Sequence, residues 1–306
     1  MDFYACLLIK HNIKRKYFMR TDTQMLELIL EFARKSENIR LVGMEGSRVN
    51  ENIQPDLFQD YDITYFVKDT APFLHNDSWL SFFGKIIMLQ KPEDMELFPP
   101  EEEGYSYLII FDDYIKLDLT LLELDKFKEY QSADHLRKIL LDKDNLCPQN
   151  IIPNDTDYWI KKPSPRSFDD CCNEFWNLTS YVVKGLCRKE ALFAIDHLYL
   201  MRKELLRMLS WQIGFKYGFN FSLGKNYKFI DKYMETDHWL KLMNTYNNNS
   251  YNNIWNALFA CQELFREASS CCARNLDCEY PSYDQYMSRY TQHFYQKYNN
   301  GFNAQT

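Results

Sequence analysis

No apolar run in this chain approaches the ~20 residues that a membrane-crossing helix needs, so a membrane is not among the expected partners. Positive charge is also in short supply. Lys and Arg number 36 against 43 Asp and Glu, a formal net charge of -7. A general binder of nucleic acid needs a basic face to displace counterions from phosphates. The balance therefore excludes that class and suits a cationic partner. None of the nine cysteines forms a CxxC pair, and no GxxxxGK[ST] loop exists. The common zinc-site spacing and the Walker phosphate loop are thus absent. The adjacent pairs Cys171-Cys172 and Cys271-Cys272 suit neither a disulfide nor a tetrahedral site. Reduced, mostly buried thiols in a cytoplasmic protein are the expectation. At the start, the apolar stretch up to Ile9 precedes Lys10, Lys14, Arg15 and Lys16, the reverse of a secretory signal.

What is abundant is aromatic: 22 Tyr, 22 Phe and 6 Trp in 306 residues, enough for well-filled cores. The length fits about two domains. Thr21 and Gln24 have capping-box spacing before the apolar series Met25, Leu26, Leu28, Ile29 and Phe32. A helix is expected from about 22 to 35, with residues 1–18 an extension outside the fold. Strands are predicted at 39–42, 59–67, 85–89, 105–111 and 114–122, the last two joined by a turn at Asp112-Asp113. After residue 150, Pro148, Pro153, Pro163 and Pro165 punctuate a linker-like stretch. Helices are then predicted at 166–187, 189–214, 225–234, 250–275 and 284–296. The expected fold is α+β, with a mixed-sheet domain over 19–150, a helical domain over 151–298 and a frayed tail over 299–306.

The chemistry concentrates at Asp60 and Asp62. Two residues apart on a strand, their carboxylates leave the same face, roughly 7 Å apart at the Cα atoms. Tyr61 and Ile63 point the opposite way. Like charges held close repel unless a cation lies between them, and a pair of Mg²⁺ ions bridged by carboxylates and nucleotide phosphates meets that need. Asp118, set between Leu117 and Leu119, is a third carboxylate, and antiparallel pairing of its strand near 59–67 would bring it alongside. Gly46-Ser47-Arg48 ends a strand upstream. Glycine permits close approach of phosphate oxygens, serine adds donors, and arginine offsets phosphate charge. By itself Asp-x-Asp also suits a solvated edge strand.

Gly-Ser at a strand end, Asp-x-Asp on the next strand and an Asp on a later one together resemble the polymerase-β-type nucleotidyltransferase motif. Longer strings sharpen the likeness. Met44-Glu45-Gly46-Ser47-Arg48, then Phe58-Gln59-Asp60-Tyr61-Asp62-Ile63-Thr64, Leu117-Asp118-Leu119-Thr120-Leu121 and Asp169-Asp170-Cys171-Cys172-Asn173-Glu174-Phe175-Trp176 are similar to the aminoglycoside 6-adenylyltransferases. The similarity runs from Met19 to about residue 290. Gly43 and the run Glu101-Glu102-Glu103 depart from that pattern.

The resemblance implies transfer of AMP from ATP to a hydroxyl of streptomycin, with two Mg²⁺ ions on Asp60, Asp62 and Asp118. Asp118 is then the first candidate for the general base and Glu174 the second. On a helix over 166–187, Asp170, Glu174, Asn177, Tyr181 and Lys184 make one stripe, and Phe168, Phe175, Leu178, Val182 and Leu186 the opposite one. The first is either an ordinary solvated face or a surface for the drug and nucleotide. In the second case Asp169, Asp170, Glu174 and Asp196 would hold guanidinium groups. Lys184 and Lys225 would join Gly46, Ser47 and Arg48 on the phosphates. His135 and His197 match no metal spacing and are read as structural. Two further readings stay open: the same transfer to another acceptor (a different aminoglycoside, a lincosamide-like drug or a protein hydroxyl), and a non-catalytic binding protein.

Overall fold

The computed structural model describes residues 19–98, 104–147 and 152–299. The proposed extension at 1–18, the run 101–103, the proline at 148 and the tail from 300 lie outside the described residues. The chain divides into two compact units between Asp157 and Tyr158.

In the first unit, helix α1 (Asp22–Lys35) begins at the capping box that Thr21 and Gln24 form, and it buries Met25, Ile29 and Ala33 completely. Strands β1 (Ile39–Glu45), β2 (Tyr61–Val67), β3 (Ile86–Gln90), β4 (Tyr105–Phe111), β5 (Lys116–Glu123) and β6 (Arg137–Asp142) form one sheet in the order β3-β4-β5-β2-β1-β6. Every neighbouring pair is antiparallel except β2 and β5, which run parallel. That corrects the antiparallel pairing expected of Asp118's strand. Sequence patterning also missed β6, an edge strand.

Period-two alternation gives the sheet two different faces. One carries Tyr61, Ile63, Tyr65, Leu117, Leu119 and Leu121 into the main core of this unit, together with α1. Phe32 of α1 stacks on Trp79 at 5.3 Å between ring centroids, and the Tyr65 hydroxyl donates to the Ile29 carbonyl at 2.7 Å. The other face is only partly covered. A small core of Leu41, Phe66, Phe127 and Tyr130, two of them from helix α2 (Phe127–Ala133), closes one stretch of it. The remainder holds the carboxylates.

The second unit is helical: α3 (Pro165–Arg188), α4 (Ala191–Tyr217), α5 (Thr236–Asn244), α6 (Tyr251–Leu276) and α7 (Tyr283–Asn299). Phe168, Phe175, Leu178, Val182 and Leu186 of α3 are buried in its core, as their spacing predicts. Phe175 stacks on Phe265 of α6 at 3.7 Å. The helix expected at 225–234 is instead two 3-10 turns, Lys225–Tyr227 and Ile230–Tyr233. Asn226 and Tyr227 adopt φ of 57° and 60°, a left-handed conformation that no continuing α-helix accommodates. Helix α5 was not anticipated. Burial pushes the thiols of Cys261 and Cys272 up to about 12. Among the described residues no helix is long and apolar enough to cross a membrane.

Candidate active site

The parallel register sets Asp62 of β2 directly opposite Asp118 of β5. On the other side, antiparallel pairing with β1 sets Glu45 opposite Asp62, and β6 adds Arg137 opposite Glu45. Four neighbouring strands thus present Arg137, Glu45, Asp62 and Asp118 as one lateral row, because paired residues share a sheet face. Asp60 lies just ahead of β2.

Gly46 follows β1 with φ of +74°, a region that L side chains rarely adopt. It also makes room for the row: a Cβ there would stand 2.3 Å from Asp62 Oδ2. Ser47 and Arg48 continue a short 3-10 turn, Gly46–Val49. Arg48 does not extend toward open solvent. Its Nε donates to the Asp60 carbonyl at 2.9 Å, its Nη2 to the Gln59 carbonyl at 2.8 Å, and its Nη1 to Asp22 at 3.0 Å. Its guanidinium also lies 3.6 Å from the centroid of the Tyr61 ring. The arginine that the sequence offers to phosphates is the tether of the loop leading into Asp60.

Three groups in the site were not singled out by sequence reasoning. Lys116 opens β5 on the same face as Asp118, and its Nζ contacts Asp60 Oδ2 at 2.7 Å and Asp118 Oδ2 at 2.6 Å. Burial works against this ammonium, yet the two carboxylates outweigh it and hold its pKa above the ordinary lysine value. Burial likewise raises the Asp118 carboxyl, with Lys116 opposing. Asp118 Oδ1 is buried with no hydrogen-bond partner, so one lone-pair oxygen of the row is open to a cation. Among the described residues no three His, Cys, Asp or Glu side chains already stand gathered to hold a metal ion, and the Lys116 ammonium lies between Asp60 and Asp118.

The second group is Glu45. Burial pushes its carboxyl up to about 7, against the pull of hydrogen bonds from the Tyr130 and Thr64 hydroxyls and the charge of Arg137. Both hydroxyls donate to Oε1. The third is Arg137, whose guanidinium lies 3.9 Å from the centroid of the Tyr130 ring and whose Nε and Nη1 are buried without partners. Gly43 has its reason here. A Cβ at 43 would lie 2.2 Å from the Tyr130 hydroxyl oxygen, so glycine is what lets Tyr130 reach Glu45.

Glu45 yields a pH prediction for the metal-free protein. Its carboxyl binds a proton more readily folded than unfolded, so the resulting stability is complete below its ordinary value of 4.5 and is lost as pH rises through about 7. Glu45→Gln keeps an acceptor for both hydroxyls and removes the charge. The variant is expected to gain roughly 3 kcal/mol over the native chain at about pH 8 and to show a flatter profile down to about pH 5. Denaturant melts at the two pH values check this; parallel profiles for the two proteins would contradict it.

The remaining predicted residues, His135 apart, belong to the second unit. Asp169, Asp170, Glu174 and Asp196 are exposed, and Asp170 pairs with Arg166 one turn back at 2.9 Å. The Lys184 ammonium lies 4.4 Å from the centroid of the Tyr181 ring and 5.3 Å from that of Phe193. Lys225 is exposed at the start of its 3-10 turn. His197 stacks on Tyr181 and its Nδ1 is 2.8 Å from the Phe193 carbonyl, while His135 pairs with Asp157 at 2.7 Å.

Comparison with known proteins gives this row of carboxylates its context. The family model described as streptomycin adenylyltransferase matches residues 19–294. An aminoglycoside 6-adenylyltransferase of Campylobacter jejuni is 56% identical over 273 residues, 89% of this chain and 95% of that protein. One from Bacillus subtilis (strain 168) is 52% identical over 280 residues, 90% of this chain and 99% of that protein. A crystal structure of an aminoglycoside 6-adenyltransferase from Bacillus subtilis aligns over 90% of this chain and 99% of its own at 48% identity, with a TM-score of 0.45. The chain belongs to the streptomycin adenylyltransferase family and is a nucleotidyltransferase enzyme.

Proposed function

We propose that the chain transfers AMP from ATP to a hydroxyl of streptomycin. In this reading Asp60, Asp62 and Asp118 hold two Mg²⁺ ions. The observation that carries it is the register of β2 against β5, which sets Asp62 beside Asp118. The donor set fits: carboxylate oxygens are what Mg²⁺ prefers, and Asp118 Oδ1 is buried without a partner. Bound there, the ions supply charge neutralisation for the α-phosphate and the departing pyrophosphate.

The chain's own groups do the rest. The drug hydroxyl oxygen bonds to the α-phosphorus as the bond to the pyrophosphate oxygen breaks, and the hydroxyl proton passes to a carboxylate. Asp118 is the first candidate by its position opposite Asp62 in the paired strands; Glu174 is the second. Gly46 and Ser47 offer backbone and hydroxyl donors to the triphosphate, with Lys184 and Lys225 as further cations. Arg48 serves the same end indirectly, by fixing the loop into Asp60. The exposed acids Asp169, Asp170, Glu174 and Asp196 suit the guanidinium groups of a cationic aminoglycoside.

With ATP, Mg²⁺ and streptomycin, the chain is expected to release pyrophosphate well above a drug-free control. Release equal to that control at saturating ATP would overturn streptomycin as the acceptor.

A further inference from the structure

Lys116 has no part in the reaction as described so far, yet it occupies the electrostatic centre of the site. Its ammonium bridges Asp60 and Asp118 at 2.7 and 2.6 Å, the two carboxylates that flank the Asp62 position. It stands on the same strand face as Asp118, two residues ahead, while Leu117 between them is buried in the core on the opposite face. Its side chain is about one-third exposed, so it is not locked in place. Beside it opens a cavity of about 500 Å³, bordered by Arg20, Phe58, Asp60, Tyr114 and Lys116 itself. A lysine on four rotatable carbons can withdraw into such a space without any movement of the sheet.

We propose that Lys116 is an internal competitor for the metal, a positioning residue that keeps Asp60 and Asp118 paired until nucleotide arrives. This rests on the reading of Asp60, Asp62 and Asp118 as the metal-binding carboxylates. In the resting chain the ammonium offsets part of the negative charge that Asp60 and Asp118 bring to the site. A divalent cation arriving alone must displace an ion pair to reach both carboxylates. Metal arriving with a triphosphate brings anionic oxygens to which the ammonium can transfer, so the displaced charge keeps a partner. Divalent binding therefore depends on nucleotide, and the dependence resides in one side chain.

The test measures Mn²⁺ binding by electron paramagnetic resonance, using the full chain with and without a non-hydrolysable ATP analogue. Lys116→Met is expected to bind Mn²⁺ alone at least about tenfold more tightly than the native chain, the factor that losing an ion pair worth roughly 1.4 kcal/mol gives. Lys116→Arg, which keeps the charge, is expected to stay near the native affinity. A merely structural lysine would leave Mn²⁺ affinity unchanged or weakened on replacement. If Lys116→Met and the native chain bind Mn²⁺ equally without nucleotide while both bind it with the analogue, the competitor role is overturned and the metal site stands. If neither binds Mn²⁺ even with the analogue, the metal site itself falls, and the role of Lys116 with it. Far-ultraviolet circular dichroism of each variant establishes that it is folded before binding is read.

Discussion

Asp62→Ala is expected to lower kcat/KM for adenylyl transfer by roughly a thousandfold or more while leaving the metal-free melting temperature similar or higher. The two halves of this expectation share one cause. Asp62 stands between Glu45 and Asp118 in the register of three adjacent strands, where neighbouring carboxylates repel and a cation relieves the repulsion. On the proposed reading, truncating it relieves repulsion in the resting protein and removes one metal-binding carboxylate from the working one. Activity assays at saturating Mg²⁺ and ATP, paired with thermal melts without metal, check both halves. Survival of activity would move the site away from Asp62, and a steep fall in melting temperature would mean that Asp62 is structural.

Gly46→Ala is the second large effect, and it reaches the same carboxylate from the backbone. At φ of +74° an alanine is strained, and its Cβ would meet Asp62 Oδ2 at 2.3 Å and Cγ at 3.2 Å. The strain alone costs of order 1–3 kcal/mol, and turning the carboxylate away is expected to reduce turnover by roughly a hundredfold. The two contributions separate in a double-mutant cycle. In an Asp62→Ala background the clash has no partner, so Gly46→Ala is expected to cost only the backbone strain. An equal loss of stability in both backgrounds would show that Gly46 is conserving loop shape and not making room for Asp62.

How far the sequence discloses this site depends on whether the information is local. Alternation along 59–67 is local, and it places Asp62 opposite to Tyr61 and Ile63 with no knowledge of the fold. The capping box at Thr21 and the apolar stripe of α3 are legible for the same reason. The direction of pairing between β2 and β5 is not local. It depends on how the chain between residues 67 and 116 crosses over, and the antiparallel expectation failed there. Glu45 and Lys116 escaped notice because each sits at a strand end beside a residue with a stronger signal. Only lateral registration reveals that Glu45 abuts Asp62 and that Lys116 bridges two aspartates. Arg48 shows what charge alone does not reveal: two hydrogen bonds tie it to the loop at Gln59 and Asp60, one to Asp22 of α1, and its guanidinium lies over the Tyr61 ring. The 225–234 segment reads as helical by apolar spacing, but Gly224 and Asn226 at positive φ break it into turns.

The central claim is that Asp60, Asp62 and Asp118 act as one metal-dependent centre for moving AMP onto the drug. Its most direct test is mass spectrometry of streptomycin after incubation with ATP and Mg²⁺. Native chain is expected to yield drug carrying a single adenylyl group, and Asp62→Ala, or native chain with chelator in place of Mg²⁺, to leave the drug unmodified. Adenylylated drug appearing at the native rate in either control would contradict the account.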